Sequence, residues 1–425
     1  DEGHIDESAL DELVYGILKL KFDLGLFDNP YTNPDEFPQL VNDEHREAAK
    51  RAALRGCVLL KNDQQILPLD EEQLQSVAVI GPLADDGYEQ LGTWVFDGEA
   101  QHSHTCLRGL HDLVGESVNI HWARGMQTSR CRENDGHDEA IQIANDSDVA
   151  IMFMGEESIL SGEAHCRAEI NLPGSQEALI EQVAATGTPI VLVVQAGRPL
   201  TLSNVLDKVS AVLYAWHPGT MGGPAIADLL FGKASPSGKL PVTFPRMVGQ
   251  VPIYYARKNT GRPPRHDNIT HIDEIDGRAE QTSLGMSAFH LDAGFTPQFP
   301  FGFGLSYTHF EYREIERSEA SIALGDVITL SAVVQNCGDR EAEEIVQLYI
   351  RDVAGNVTRP VRELKGFQRV NLTPGESKRV SFELHTNELA FHNRKMDLVT
   401  EPGDFHVWIG GDSNAELWTE FRIRD

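Results

Sequence analysis

Apolar residues recur at helical spacing over residues 6–24, at Leu10, Leu13, Val14, Ile17, Leu18 and Leu24. Asp6 or Ser8 stands where a cap belongs, and Gly25 stops the run. The stretch Asn29-Pro30-Tyr31-Thr32-Asn33-Pro34 reads as a linker. A second helix, rich in alanine and charge, is predicted over residues 43–56. From residue 57 the texture changes. Short unbroken apolar runs cover residues 77–80, 149–153, 190–194 and 211–214, each bounded by turn residues. Helical stretches fall between them, as at 176–185 and 223–231. Strands buried on both faces by crossover helices read this way.

Residues 43–245 are therefore expected to form an α/β sandwich with a mostly parallel sheet, preceded by a helix and linker over 1–42. Residues 246–305 are rich in Pro, Gly, Asp and Arg and lack periodicity; they read as a long connecting segment that carries function. Beyond residue 306, runs at 327–334, 345–350, 379–384 and 405–410 alternate in period two. Turns such as Thr373-Pro374-Gly375-Glu376 and Glu401-Pro402-Gly403-Asp404 separate them. That spacing predicts a β-sandwich of the fibronectin or immunoglobulin type over 306–425. The fold class is thus α/β plus all-β.

Charge narrows the function. The 425 residues carry a formal net charge of −29, which disfavours phosphate backbones and anionic lipid, so neither nucleic acid nor membrane is an expected partner. No apolar stretch reaches the roughly 18 residues of a membrane span. The five cysteines (57, 106, 131, 166 and 337) contain no CxxC pair and give no zinc pattern. One bridge among Cys106, Cys131 and Cys166 is open on the sequence alone. No GxGxxG follows a strand and no GxxxxGK[ST] occurs, so no nucleotide cofactor is called for, nor any metal or other cofactor.

Three segments carry candidate chemistry. In open α/β sheets, ligands gather beyond the carboxyl ends of the strands. The run 149–153 feeds a loop through residue 169 that holds Glu156, Glu157, Glu163, His165, Arg167 and Glu169. A Glu partly shielded from water there suits general acid/base work; the same composition fits a solvated acidic loop. In Leu91-Gly92-Thr93-Trp94-Val95-Phe96-Asp97-Gly98, two aromatics between glycines can stack on a sugar face, or plug a core gap. Residues 215–223 end a strand and open a helix at Gly222-Gly223, which offers an anion site or simply close helix packing. His217 within it has no nucleophile or metal partner nearby in sequence.

In order along the chain, several further segments are familiar. They are Lys21-Phe22-Asp23-Leu24-Gly25-Leu26-Phe27-Asp28-Asn29-Pro30-Tyr31, Val58-Leu59-Leu60-Lys61-Asn62 and Val79-Ile80-Gly81-Pro82-Leu83-Ala84-Asp85. Ala196-Gly197-Arg198-Pro199, Pro236-Ser237-Gly238-Lys239-Leu240-Pro241 and Asn259-Thr260-Gly261-Arg262-Pro263 follow. Phe299-Pro300-Phe301-Gly302-Phe303-Gly304-Leu305-Ser306-Tyr307 and Leu364-Lys365-Gly366-Phe367 complete the set. With them the chain resembles, from end to end, the C-terminal half or so of a glycoside hydrolase family 3 enzyme of the bacterial β-glucosidase kind.

The resemblance implies retaining, exo-acting hydrolysis of terminal β-D-glucosyl residues, which needs a nucleophile and an acid/base about 5–5.5 Å apart. In the family the nucleophile is an Asp of an N-terminal (β/α)8 barrel, and no matching motif is present here; Ser147-Asp148-Val149 leads into a strand of the wrong domain. The acid/base comes from the loop after Gly155-Glu156, which points to Glu163, with His165 and Arg167 beside it on the substrate and Gly155-Glu156 anchoring the loop. Trp94 and Phe96 become aglycone-side contacts, and the segment around Tyr255, Arg257, Arg262 and residues 288–292 is a further stretch near the cleft. Residues 1–42 become a barrel-exit helix and linker. The implied partner is a barrel polypeptide carrying the nucleophile, through a cleaved precursor or a split enzyme; a fragment without activity is the third account. The chain alone is expected to be inactive. The implied substrate is a β-glucoside or cello-oligosaccharide. A β-xylosidase, another β-glycosidase, and a non-catalytic sugar-binding or assembly module stay open, as does a homodimer. Relatives of this kind imply a periplasmic or secreted location.

Overall fold

The computed structural model describes residues 5–36 and 41–425, so parts of the predicted 1–42 segment (1–4 and 37–40) lie outside the described residues. Residues up to 45 form one unit and residues 46–425 a second. In the first, helix α1 spans Glu7–Asp23 and has no buried residue. Its apolar positions Leu10, Leu13, Val14, Ile17 and Leu18 all stand exposed. Helix α2, Asp43–Gly56, carries acids in its first turn and Arg55 in its last, the order the helix dipole favours.

The α/β region of the second unit is built on a six-stranded sheet in the order β1-β6-β5-β4-β2-β3. These strands are β1 Val58–Asn62, β2 Ser76–Ile80, β3 Asn119–Ala123, β4 Val149–Gly155, β5 Ile190–Gln195 and β6 Ala211–Tyr214. All neighbours run parallel except β1, which is antiparallel to β6. Strand alternation sorts the apolar residues onto two faces. Ala150, Met152, Leu192, Val194 and Val212 pack with Ala140 and Ala144 of α4 (His137–Asn145) and Leu179, Ile180 and Val183 of α5 (Gln176–Ala184). Ile151, Phe153, Val191, Val193 and Leu213 pack with Leu110 and Val114 of α3 (Cys106–Val114) and Ile226, Leu229 and Leu230 of α6 (Gly222–Leu230). Covering on both faces is why these strands are apolar without a break.

The helix opened by Gly222-Gly223 shows why glycine is needed there. A Cβ on Gly223 would stand 2.0 Å from the Thr105 carbonyl oxygen, and one on Gly109 would stand 2.4 Å from the Gly223 carbonyl carbon. The pair therefore brings α6 against the start of α3.

Residues 246–305 are mostly irregular, with short 3-10 turns at Val248–Gln250, His266–Asn268 and Ile272–Glu274. Their end returns to the α/β region: Phe299 bridges to Phe244, and Leu305 to Leu59 of the edge strand β1. The last region is a sandwich. Strands β7 (Phe310–Arg317), β8 (Ser321–Ala323), β9 (Val327–Asn336), β10 (Ala342–Asp352), β11 (Glu363–Leu372), β12 (Ser377–His385), β15 (Gly403–Gly410) and β16 (Trp418–Arg424) form two sheets, with β13 (Phe391–His392) and β14 (Leu398–Val399) a small ribbon beside them. The sheets run β11-β10-β15-β16-β8 and β12-β9-β7, and enclose one core of residues such as Leu330, Val346, Leu348, Phe382, Phe405, Val407 and Ile423. Lys239 of the α/β region pairs with Glu344 of β10 at 3.1 Å, both nearly buried, and Tyr312 donates to the same carboxylate at 2.9 Å. The two regions are tied by more than their linker.

All five cysteines are free thiols, so the bridge left open among Cys106, Cys131 and Cys166 does not form. Cys57 and Cys106 are fully buried, and burial pushes the Cys57 thiol up to about 12 and Cys106 further in the same direction. Thiol titration of the native chain with an aromatic disulfide should therefore label exposed Cys166 and Cys337 first, and Cys57 and Cys106 only after denaturation. Rapid labelling of all five in the native state would contradict this packing.

Candidate active-site loop

β4 and its neighbour β5 end side by side, and the acidic loop begins there. Gly155, the last residue of β4, has φ of +136°, and a Cβ would fall 1.8 Å from the Gln195 carbonyl oxygen of β5. Only glycine fits. Its N–H donates to the side chain of fully buried Gln176 at 2.7 Å, and the Gln176 amide donates back to the Gly155 and Ser129 carbonyls. The next N–H, of Glu156, donates to the Gln195 carbonyl at 2.8 Å. The strand end is thus locked before the loop departs.

Glu156 turns inward. Its side chain is fully buried and accepts from Arg167 Nη1 at 2.5 Å on one oxygen and from Arg198 Nε at 3.0 Å on the other. Arg198 also donates to the carbonyls of Leu160 and, at 2.9 Å, His165. Arg167 donates to the Asn171 carbonyl at 3.0 Å. One carboxylate and two guanidiniums therefore hold both ends of the loop. Glu157 is also turned in, accepting from the Ser129 hydroxyl at 2.9 Å, with Arg130 3.6 Å away.

The tip behaves differently. Glu163 is exposed, between Gly162 (φ +123°) and Ala164 (φ +64°), and His165 is exposed beside it. Left-handed backbone on both sides of Glu163 makes a sharp projecting turn. The aromatic loop abuts this turn: the Thr93 hydroxyl lies 2.6 Å from the Ser158 carbonyl oxygen and 2.9 Å from that of Ser161. A Cβ on Gly162 would meet the Thr93 methyl at 2.5 Å. Trp94 and Phe96 stand 62% and 87% exposed, their rings 6.4 Å apart, so neither plugs the core. The structure thus brings the loops of Glu163 and Trp94 together, with His165 at the same tip. Arg167, by contrast, is largely covered and committed to Glu156.

The places of two residues, Arg198 and His217, are not legible in the sequence. Arg198 lies 42 residues from Glu156, on the segment after β5. His217 packs against the aromatic loop and the segment after β5: Cβ atoms on Gly92 and Gly197 would stand 2.8 Å from its Cβ and 3.1 Å from its Nε2. Both its ring nitrogens are buried without a hydrogen-bond partner, and burial holds its pKa below that of an ordinary imidazole. The unfolded chain then takes up the proton first as pH falls through about 6.5. Stability contributed by neutral His217 is present above that pH and lost below it. Urea midpoints at pH 7 and pH 5.5 should differ less for His217→Leu than for the native chain; an equal difference would rule out the buried neutral ring. Among the described residues, no group of three His, Cys, Asp or Glu side chains is placed to hold a metal ion, and no helix is long and apolar enough to cross a membrane.

Residues 57–307 match the glycosyl hydrolase family 3 C-terminal domain, and residues 344–413 a fibronectin type III-like domain. The chain is 38% identical to a periplasmic beta-glucosidase of Salmonella typhimurium, over 97% of this chain and 55% of that protein. It is 36% identical to a beta-xylosidase of Formosa agariphila, over 96% of this chain and 54% of that protein. A crystal structure of a beta-glucosidase from Listeria innocua in complex with isofagomine superposes with a TM-score of 0.86 at 33% identity, covering 99% of this chain and 56% of that one. The chain spans about half the length of the curated relatives it matches, and no (β/α)8 barrel lies among its described residues. With its α/β sandwich, its fibronectin-like sandwich and the order of its loops, this chain belongs to glycoside hydrolase family 3, of which it holds the C-terminal portion.

Proposed function

We propose that this chain supplies the acid/base half of a retaining, exo-acting β-glucosidase, and that a (β/α)8 barrel polypeptide supplies the nucleophile. The observation that carries the reading is the contrast within one loop. Glu156 and Glu157 are turned inward and bound, while Glu163 projects freely from a tip held at both ends. A general acid must reach a leaving-group oxygen outside its own domain; the exposure of Glu163 on the projecting turn supports that role for it over Glu169, which is also exposed but lies past the Arg167 anchor. In the first half-reaction Glu163 donates its proton to the glycosidic oxygen as the barrel's carboxylate attacks the anomeric carbon. In the second, its carboxylate takes a proton from water as that water displaces the enzyme from the sugar. Trp94 and Phe96, exposed beside the tip, form the platform for the leaving-group side. His165 stands next to Glu163 and contacts substrate, and Arg167 acts by holding the loop. The exposed apolar stripe of α1 is a surface suited to cover by a barrel domain.

The β-xylosidase name of one relative favours a second reading of the glycone, as xylose. Location in the periplasm or outside the cell is proposed from the Salmonella relative's name. The test uses natively purified material. A denaturing intact-mass spectrum should show a second, barrel-sized polypeptide, and the complex should cleave an aryl β-glucoside faster than the aryl β-xyloside. The 425-residue chain alone should cleave neither. Hydrolysis by the isolated chain would overturn the shared-site reading, and faster xyloside cleavage would move the glycone to xylose.

A further inference from the structure

The outer face of the five-stranded sandwich sheet is unusual. Such a face ordinarily carries solvated polar side chains. Here the register sets Tyr349, Trp408 and Trp418 side by side across β10, β15 and β16, while their neighbours Leu348, Val407 and Ile409 point into the core. The connecting segment covers one end of this aromatic row, where the Tyr255 ring meets Tyr349 at 6.0 Å and stacks on Phe301 at 4.2 Å. Beside that contact, between the segment and the sheet, lies a cavity of about 730 Å³ lined by Trp408, Tyr254 and Phe295. Its size is within the range of small-molecule sites.

Four guanidiniums line the same cavity: Arg246, Arg257, Arg351 and Arg362. Elsewhere in the chain guanidiniums are commonly paired with carboxylates, as at Arg167, Arg198, Arg359, Arg369 and Arg379. Among the described residues, none of these four is. Arg246 donates to the Thr296 carbonyl at 3.2 Å, and Arg362 to the Ala415 carbonyl at 3.1 Å while lying 4.2 Å over Trp408. Arg257 lies 5.8 Å over Phe295. Arg351 has no side-chain hydrogen bond or ion pair among the described residues. The only carboxylate in the lining is Glu416. Asp412 stands near Arg362 outside the lining, and burial raises its pKa. In a chain of net charge −29, this is a local reversal of sign facing a partly enclosed space.

Guanidinium forks match a carboxylate. Aromatic faces match the apolar face of a sugar ring, and Tyr254 offers one that is 64% exposed. Thr243, Ser413 and Asn414 add groups suited to hydroxyls. We propose that this cavity binds a carboxylate-bearing saccharide of one or two rings, a uronosyl sugar, with Arg351 and Arg257 taking the carboxylate. The site uses no residue of the acidic or aromatic loop; its Arg257 belongs to the segment that the family resemblance sets near the cleft, and so the test reads binding alone, without catalysis.

The test is calorimetric titration of the 425-residue chain with glucuronate, glucose, acetate and inorganic phosphate. Glucuronate is expected to bind at least about tenfold more tightly than each of the other three. The double variant Arg351→Ala, Arg257→Gln should weaken glucuronate at least about tenfold at an unchanged melting temperature. No heat with glucuronate up to tens of millimolar (about the weak limit of a specific site) would overturn the proposal. So would glucose binding as well as glucuronate. Acetate or phosphate binding as tightly as glucuronate would reduce the cavity to a plain anion site and overturn it equally. If the double variant melts lower, Arg257→Gln alone decides: a severalfold loss supports the site and an unchanged affinity sinks it.

Discussion

Glu163→Gln, placed in the barrel-completed enzyme, is expected to lower kcat/KM on glycosides with poor leaving groups by about 10²–10⁴-fold. The amide is close in size but cannot donate the proton that the departing oxygen needs. A leaving group as acidic as dinitrophenol departs without that proton, so its glycosylation step should lose far less. Deglycosylation then becomes the slow step, because the variant also lacks the base. A burst of dinitrophenol should appear, and added azide, which needs no base, should speed turnover and yield a glycosyl azide. Equal losses on both substrate types, with no burst and no azide effect, would assign the proton to another group. Glu163 is exposed on a projecting turn, so the variant should unfold within about 0.5 kcal/mol of the parent.

Glu156→Gln should behave in the opposite way. Seven residues earlier in the same loop, it removes a fully buried carboxylate held by Arg167 and Arg198. The amide nitrogen would face a guanidinium, donor against donor. Two cations would be left without a counter-charge. Breaking a buried pair on one side costs roughly 3–5 kcal/mol, and the 18% exposure of each Arg side chain favours the lower end of that range. The measurement is urea unfolding of the 425-residue chain, read as a lower midpoint at unchanged slope. Activity of the completed enzyme should also fall, on activated and unactivated substrates alike, because the tip loses its anchor. An unchanged midpoint would show that the two arginines find solvent or another acceptor at no cost.

The sequence makes legible both the sandwich strands, by their period-two alternation, and the α/β strands that are covered on both faces. β4 and β5 read as unbroken apolar runs because α4 and α5 lie on one side and α3 and α6 on the other. β3, Asn119-Ile120-His121-Trp122-Ala123, gives no such signal: it is an edge strand, and only Ala123 is buried. β1 is likewise an edge strand, and its direction against β6 is fixed by pairing that no local pattern records. In the candidate site, the loop and its exposed aromatics are legible because a strand end followed by carboxylates is a local pattern. The anchoring of Glu156 is read there only through the family resemblance, not from the residues themselves. It depends on Arg198, brought to Glu156 by the side-by-side ends of β4 and β5, and so Arg167 reads in sequence as facing substrate when its side chain faces Glu156.

That anchoring has a consequence for how the loop can change. Every long-range bond described for it grips residues 156–161 or 165–167. Between Ser161 and His165 the backbone bonds only to itself, through the His165 N–H on the Gly162 carbonyl at 3.2 Å. Doubling the length of a flexible loop costs only about 0.6 kcal/mol in closure entropy. The turn at 162–164 can therefore be lengthened within a fixed frame, provided that glycine is kept at 162, where a Cβ would meet Thr93, and a carboxylate at 163. Insertions there are expected to alter the reach of Glu163 while the sheet beneath registers no difference.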